Sequence, residues 1–457
     1  MIWIDITDPK YALFFHAFLP KLLTLDNVLI TTRKSEGYEE CANILEMLQI
    51  DSAKPAPESN ARESNTPESS THKPNSNTES TSAPKSTSHA NTANTTNPAT
   101  PTHTIQIHCV GGYGGGSFEG KLRARMQRQE AFLTLFASLN IKPRVFLTGA
   151  SVEGAQCAYG LGIPVIHFSD TPLAGHRFSA RDITLLSRLT LPLSSLVFHP
   201  FVIPSSVYSA FGLDMRDVYA YDFIDIALWL VDSVPKSKAQ NALESSASKL
   251  DSARESKAQT KPPKSPQKPL IIAREEEYKA HYVKQKLSLW YESVHALARR
   301  DVAQILIIPR YEREYLHREF GAYACVEILE EPLPPLELYA RADMMLGGGG
   351  TMNLEACFLG IPTISTRSLL LFHDMFLIEN GLMTHAKTLD EVLRAFEKFR
   401  TSGFSRQNKQ NLFVKSSVLN SANSDKSVLD DEKNKNIKNA LESMKDKIVE
   451  IIKTRFY

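Results

Sequence analysis

Ala342 to Ser365, ADMMLGGGGTMNLEACFLGIPTIS, decides how the chain is read. Met344, Met345 and Leu346 form an apolar run of strand length, and the four glycines Gly347 to Gly350 stop it. Thr351 is the expected N-cap of a following helix. Leu354, Phe358 and Leu359 recur at helical spacing until Gly360 and Pro362 end it, and Thr363 to Ser365 resume as strand. A strand that turns without side chains into a helix N-terminus leaves unpaired N–H groups at the positive end of a helix dipole, which is an anion site. Gly348, Gly349, Gly350 and Thr351 are therefore candidates to hold a phosphate. Glu355, one turn into the helix, is a candidate for the sugar hydroxyls beyond it. A βα turn that needs glycine only for its shape would leave the same pattern.

Upstream of this stretch a βα series is legible. Leu270 to Ala273 reads as strand, Tyr291 to Ala298 as helix, Ile305 to Ile308 as strand, Val326 to Leu329 as strand and Leu336 to Ala340 as helix. Arg274 and Arg310 each stand just past a strand, where a guanidinium can meet a phosphate or form a surface ion pair equally well. The N-terminal half repeats the logic. Ile2 to Ile6 is a strand, Thr7, Asp8 and Pro9 turn it into a helix, and Asn27 to Thr31 and Tyr38 to Leu48 continue the alternation. After Ile105 to Val110 comes a second glycine-rich turn, Gly111 to Leu122, feeding a helix to about Leu139. Arg144 to Thr148 and Val165 to Phe168 are further strands. In open α/β sheets ligands bind at the strands' C-terminal edge, so Asp5, Gly111, Thr148 and Asp170 are read as one rim. Asp170 reads equally as a helix N-cap.

Composition shifts mark the boundaries. Asp51 to Thr104 is Ser, Thr, Asn, Pro and Lys with almost no large apolar residue, so it cannot bury enough surface to offset its ordering entropy. Ser233 to Lys268 is similar. The chain divides into an N-terminal Rossmann-like domain over 1–230 with a disordered insertion at 51–104, a disordered linker at 233–268, a C-terminal Rossmann-like domain over 269–400, a disordered segment at 401–438 and a terminal helix over 439–457. The fold class is α/β, two doubly wound domains facing a cleft.

The 52 basic and 51 acidic residues leave a net charge of +1, which gives no reason to expect a nucleic-acid partner. The five cysteines stand singly, without zinc spacing, and read as reduced core thiols. There is no Asp-x-Asp run and no His/Cys cluster, so no metal and no separate cofactor are expected. The N-terminus lacks a signal pattern, and the longest apolar stretch, Leu185 to Pro204, contains Arg188, Pro192, His199 and Pro200. A cytoplasmic protein is expected, compatible with peripheral contact at a membrane surface.

Two glycines, a glutamate and a short helix ending Gly-x-Pro resemble the nucleotide-sugar site of GT-B proteins, among them the N-acetylglucosaminyltransferase of peptidoglycan synthesis and the non-hydrolysing UDP-N-acetylglucosamine 2-epimerases. The resemblance implies that Glu355 holds the ribose. WIDITDP, GGGS with GKL, YGLGIPVIHFSDT, SRLTLPLSSLVFHP, REEEYKAHY and LGGGGTMNLEACFLGIPTIS together resemble the GT-B-like family known as domain of unknown function 354. Where that family is expected to carry histidine, this chain has Tyr11 and the run Thr148, Gly149, Ala150. His16, His167 and His176 lie near in sequence and read as ordinary histidines.

The resulting expectation is a metal-independent glycosyltransferase using a nucleoside-diphosphate sugar, with a glycan, lipid or small molecule as acceptor. Helix dipole and arginines would stabilise the leaving diphosphate, and Asp5 or Asp170 would remove the acceptor proton. A non-hydrolysing 2-epimerase ranks lower, because the epimerases' His-Arg-Arg-Glu-Asn is matched here by Ala273, Arg274, Glu275, Glu276, Glu277. The third reading is a nucleotide-sugar-binding protein without catalysis.

Overall fold

A central strand of a parallel sheet is buried on both faces and reads as a near-continuous apolar run, here broken only by Asp5. β1 (Ile2–Ile6) is buried at every position. Asp8 ends the turn after it by capping α1 (Pro9–Leu22): its side chain accepts from Lys10 N, and Pro9 occupies the first turn, where a missing N–H costs nothing. The computed structural model describes residues 1–35, 39–48, 103–115, 117–233, 268–277, 288–311, 313–331, 333, 335–415 and 430–457.

The N-terminal unit continues with β2 (Val28–Thr32), α2 (Glu40–Met47), β3 (Ile105–Cys109), α3 (Phe118–Ser138), β4 (Val145–Thr148), α4 (Val152–Gly160), β5 (Val165–Phe168), α5 (Leu185–Thr190), β6 (Leu196–Pro200), β7 (Val218–Tyr221) and α6 (Ala227–Leu230). Its strands are parallel in the order β3-β2-β1-β4-β5-β6-β7. The C-terminal unit comprises β8 (Leu270–Arg274), α7 (Leu289–Arg299), β9 (Gln304–Ile308), α8 (Arg313–Phe320), β10 (Val326–Ile328), α9 (Pro335–Arg341), β11 (Met344–Gly347), α10 (Thr351–Phe358), β12 (Thr363–Ser365), α11 (Phe372–Glu379), β13 (Thr384–His385) and α12 (Leu389–Thr401). It is parallel too, in the order β10-β9-β8-β11-β12-β13. Strand order reverses once in each sheet, between β1 and β4 and between β8 and β11, and these two switch points are where open α/β sheets take ligands.

Alternation along β1 sends Trp3 to one face, where it packs edge-on against Phe132 and Phe136 of α3, and Ile2 and Ile4 to the other, with Phe14 and Phe18 of α1. The second cluster does not stop at the domain edge. It runs through α6 to Met345, Phe358 and Phe413 and on to Ile448, so one apolar core joins the two units.

The polar segment expected to be disordered over 401–438 differs. α12 ends at Thr401, and the residues to Lys415 return to the N-terminal unit: Ile224 N donates to Phe413 O at 2.9 Å, Phe223 and Val414 form an antiparallel bridge, and Lys415 N donates to Asp222 O. Leu412, Phe413 and Val414 are an apolar core within a polar average, which composition over a long window hides. Residues 416–429 lie outside the described residues. The terminal helix, expected over 439–457, is α13 (Asp430–Phe456). It packs Leu441, Met444, Ile448 and Ile452 against the N-terminal unit, with Lys21 of α1 2.5 Å from Asp446. The insertion at 51–104 and the linker at 233–268 lie outside the described residues apart from their ends. Thr104 already pairs with β2, accepting from Val28 N at 2.9 Å.

Asp5, expected at the rim as a proton acceptor, is instead core. Its carboxylate takes both terminal nitrogens of Arg128, at 2.7 and 2.6 Å, and the Thr31 hydroxyl at 2.6 Å. Arg128 also reaches Glu153 at 2.8 Å and Val110 O at 2.7 Å, tying β1, β3, α3 and α4 together. Burial alone would raise the Glu153 carboxyl, but Arg128 outweighs it and holds it below its usual range. Arg128→Leu leaves two buried carboxylates without their cation and is expected to cost about 3–5 kcal/mol in urea unfolding. A loss under 1 kcal/mol would show that water reaches the triad.

Candidate functional site

At the C-terminal switch point Gly347 pairs with Arg274, so the loops after β11 and β8 leave side by side. Their contact is tighter than any side chain allows: a Cβ on residue 348 would lie 2.3 Å from the Glu276 backbone nitrogen. Gly349, at φ +97°, lies as close to the Arg367 side chain and takes a backbone conformation that only glycine adopts readily. Gly350, not Thr351, is the N-cap of α10, and it brings no capping side chain. The first-turn N–H groups are thus left to a ligand or to water. Thr351, expected as the N-cap, is the first helical residue, its place as cap taken by Gly350 at positive φ.

Arg274 and Arg310 are brought together here. Arg274, at the end of β8, hydrogen-bonds through Nη1 to the carbonyls of Ile308, at 3.3 Å, and Pro309. Burial and the neighbouring Arg310 push its guanidinium down to about 10. Arg310 lies 3.3 Å from Glu277 and places Nη2 3.5 Å from where a Gly350 Cβ would stand. The Nε atoms of both arginines are buried without a hydrogen-bond partner. Glu276, Glu277, Arg310, Gly348, Gly349, Gly350 and Arg367 enclose a cavity of about 10 Å³. That is room for about one water. A larger hollow of about 680 Å³ lies on the surface between α1 and α13, away from both switch points, and none of its lining groups belongs to this constellation.

The opposite wall comes from the N-terminal unit and α11. Lys10 Nζ lies 2.5 Å from Asp170 and also pairs with buried Asp225. Burial would raise the Asp170 carboxyl, but Lys10 and then His373 lower it to about 2. It stays ionised and is a poor proton acceptor, so the expected catalytic role of Asp170 gives way to an ion pair. Asp8 is different. Its own atoms touch solvent, yet the protein crowding the cleft and Glu277 on the facing unit raise its carboxyl to about 6. His373, at the start of α11, is buried beside Asp170, Lys10 and Asp225, and burial lowers its pKa. Its helix is pinned by Arg367–Asp374 at 2.6 Å and by Leu371 N donating to Asp374. Sequence reading passed over Lys10, Asp8, Asp225 and His373. Asp8 carried a signal, an acid on the turn at the first switch point, but it was read only as part of that turn.

Tyr11 and Gly149, where the resemblance led to an expectation of histidine, are in contact with each other. A Cβ at 149 would lie 1.9 Å from the Tyr11 ring, whose hydroxyl donates to Phe168 O at 3.0 Å and Asp170 at 3.2 Å. His167 bonds Gly149 O at 3.1 Å and is pushed down to about 4 by burial, a neutral core histidine. His16 is exposed on α1, and His176 bonds Leu370 O at 3.4 Å.

Glu355 is not arranged for a ribose. It is 5% exposed, accepting from Trp229 Nε1 of α6 at 3.0 Å and from Tyr339 OH of α9 at 2.7 Å, so it ties the two units together. Burial raises its carboxyl above the usual range. Among the described residues no His, Cys, Asp and Glu group is placed to hold a metal, and no helix is long and apolar enough to cross a membrane.

Residues 101–416 match the profile of a family described as "Protein of unknown function (DUF354)". An uncharacterized protein of Methanocaldococcus jannaschii is 27% identical over 294 residues, covering 63% of this chain and 76% of its own length. Two solved structures share the fold. UDP-GlcNAc 2-epimerase from Neisseria meningitidis, bound to UDP-GlcNAc, has a TM-score of 0.57 at 11% identity, covering 91% of this chain and 94% of that one. The Methanocaldococcus jannaschii UDP-GlcNAc 2-epimerase, in complex with UDP-GlcNAc and UDP, has a TM-score of 0.56 at 15% identity, covering 90% and 97%.

Glu355→Ala strips a buried indole N–H and phenol O–H of a charged acceptor. Stability is expected to fall by about 3 kcal/mol in chemical denaturation, with Glu355→Gln recovering part of it. A variant as stable as the parent would place Glu355 outside the domain junction's energetics.

Proposed function

The chain belongs to the DUF354 family, and from that premise we propose that it binds a nucleoside-diphosphate sugar at the α10 N-terminus and transfers the sugar without a metal ion. One observation carries the reading: two arginines from adjoining strand ends converge, with unpartnered buried Nε atoms, on a helix N-terminus capped by glycine. Fixed N–H dipoles and guanidinium groups stabilise charge that develops on a departing diphosphate, with no reorganisation at the moment of reaction. Solved structures of like fold in complex with UDP-GlcNAc and UDP support a nucleotide sugar as the ligand.

In this reading the diphosphate displaces Glu277 from Arg310 and lies along Gly348 to Thr351. The sugar then projects towards Asp8 and His373. Asp8, with a carboxyl near 6, is ionised at neutral pH and accepts the acceptor's proton; neutral His373 holds a sugar hydroxyl. Asp170 and Lys10 form a fixed ion pair between them. The acceptor reaches Asp8 from the N-terminal rim.

A second reading is favoured by Tyr11: its ring fills the place of an expected histidine, which fits a protein that binds the nucleotide sugar and does not turn it over. Calorimetry with a panel of nucleoside diphosphates, followed by a turnover assay, separates the two, since binding without turnover selects the second.

Arg310→Gln removes a charge-assisted contact and is expected to weaken nucleoside-diphosphate binding about ten- to a hundredfold, with the melting temperature unchanged. EDTA is expected to leave that affinity untouched. If affinity is unaltered in Arg310→Gln, or lost in EDTA and restored by magnesium, the site is not the one described. The turnover rate is expected to fall about tenfold per pH unit below pH 6, because protonation removes the base. Asp8→Asn should abolish that limb with the nucleotide Kd preserved, and an unchanged profile would exclude Asp8.

A further inference from the structure

Fourteen large apolar side chains are exposed among the described residues, and nine of them lie between residues 118 and 186, on or beside α3, α4 and α5. These helices form one face of the N-terminal sheet, α3 packing on α4 and α4 on α5. On the other face α1 is itself covered by α13. The asymmetry leaves a single apolar outer layer.

Its densest part is the segment that follows Asp170. Phe178 is 55% exposed, and Leu185 and Leu186, the first two residues of α5, stand exposed beside it. The segment is built rather than loose: Leu173 and Ile183 bridge, Ala174 N donates to Asp182 O at 2.6 Å, and Arg188 reaches Ala180 O at 2.5 Å. Arg177, Arg181 and Arg188 flank the three apolar side chains along the chain, all exposed and none in an ion pair among the described residues, against one acid in the same segment, Asp182. Two helices away Leu122 and Met126 project from the cleft end of α3, with Arg125 beside them. Exposed apolar side chains interspersed with an excess of unpaired arginines fit an interface that is hydrocarbon within and anionic at its rim.

We propose that this edge docks on an anionic lipid bilayer, Phe178, Leu185 and Leu186 entering the headgroup region and the arginines meeting lipid phosphates. The docked segment runs from Asp170 and touches the C-terminal unit through His176 and Leu370, so docking brings the cleft mouth to the lipid surface. This inference does not depend on the nucleotide reading.

The test is flotation of the full chain with phosphatidylcholine vesicles and with vesicles containing one third phosphatidylglycerol. Binding is expected only to the anionic vesicles and should fall as salt is raised. Arg177→Glu with Arg181→Glu is expected to weaken it at least twentyfold, about fivefold for each arginine lost. Phe178→Ser is expected to weaken it about tenfold. Nucleoside-diphosphate affinity, read in parallel, should be the same in every variant, which separates failure of docking from failure of the cleft. No flotation of the parent chain overturns the proposal, as does equal flotation of the double arginine variant. Light scattering that shows a parent dimer, with both variants monomeric and neither parent nor variant floating, also overturns it and makes the face an interface between copies. If Phe178→Ser lowers the melting temperature, the arginine variant, which alters only exposed charge, decides.

Discussion

Gly348 passes the backbone of Glu276 at a separation that admits no side chain, and the C-terminal half of the cleft depends on that contact. Because β8 and β11 are neighbours at the point where strand order reverses, the two loops must leave the sheet together. With any residue but glycine they would splay. Splayed loops would carry Arg274 away from the α10 N-terminus and release Glu276 from Ser368, whose N–H it accepts at 2.8 Å. The glycines therefore have a packing reason at 348 and 349 whatever is bound, and Gly350 alone stands open towards Arg310. A ligand site and a structural turn are here the same backbone, which is why glycine content alone cannot tell them apart.

The two units are held by more than the segment linking them. Glu355 accepts from one side chain of each unit, Trp229 and Tyr339, and the stretch around Phe413 adds backbone bonds to residues 222–224. A polar tie at the junction with an apolar core beneath it fixes the angle between the sheets. The cleft walls carry ion pairs of two kinds: Lys10–Asp170 is mostly buried and fixed, whereas Arg310–Glu277 ends on a half-exposed carboxylate. A half-exposed pair of that kind is worth little and exchanges readily for a charged ligand. The rigid parts are thus buried and hydrogen-bonded, and the exchangeable parts line the cleft.

Strand and helix positions were legible because most buried strands are short, mainly apolar runs bounded by glycine, proline or capping residues. Val165–Phe168 and Thr363–Ser365 fall where expected. What sequence could not show was where an isolated charge points. Asp5 looks like a rim acid until Arg128, 123 residues away, is seen to claim both its oxygens, and Glu355 looks like a ribose ligand until Trp229, 126 residues away, is seen beside it. Such pairings lie in tertiary packing, and local pattern holds no trace of them. The polar stretch after Thr401 was missed for another reason: three apolar residues suffice to dock a loop, and they vanish in an average.

Tyr11 and Gly149 show how one side chain constrains another position. The Tyr11 phenol occupies the volume that any side chain at 149 would fill, so residue 149 has to be glycine while residue 11 is tyrosine. The hydroxyl is a hydrogen-bond donor in this corner, reaching Phe168 O and Asp170. Burial and Asp170 hold the phenol protonated well above its ordinary range. Of the two acids that flank it, Asp170 is held as an anion by Lys10, whereas Asp8, on the first turn, is raised to about 6 by the crowded cleft and the facing Glu277. The same corner thus sets two carboxylates on opposite sides of their ordinary range, one tied to a cation and one facing another acid.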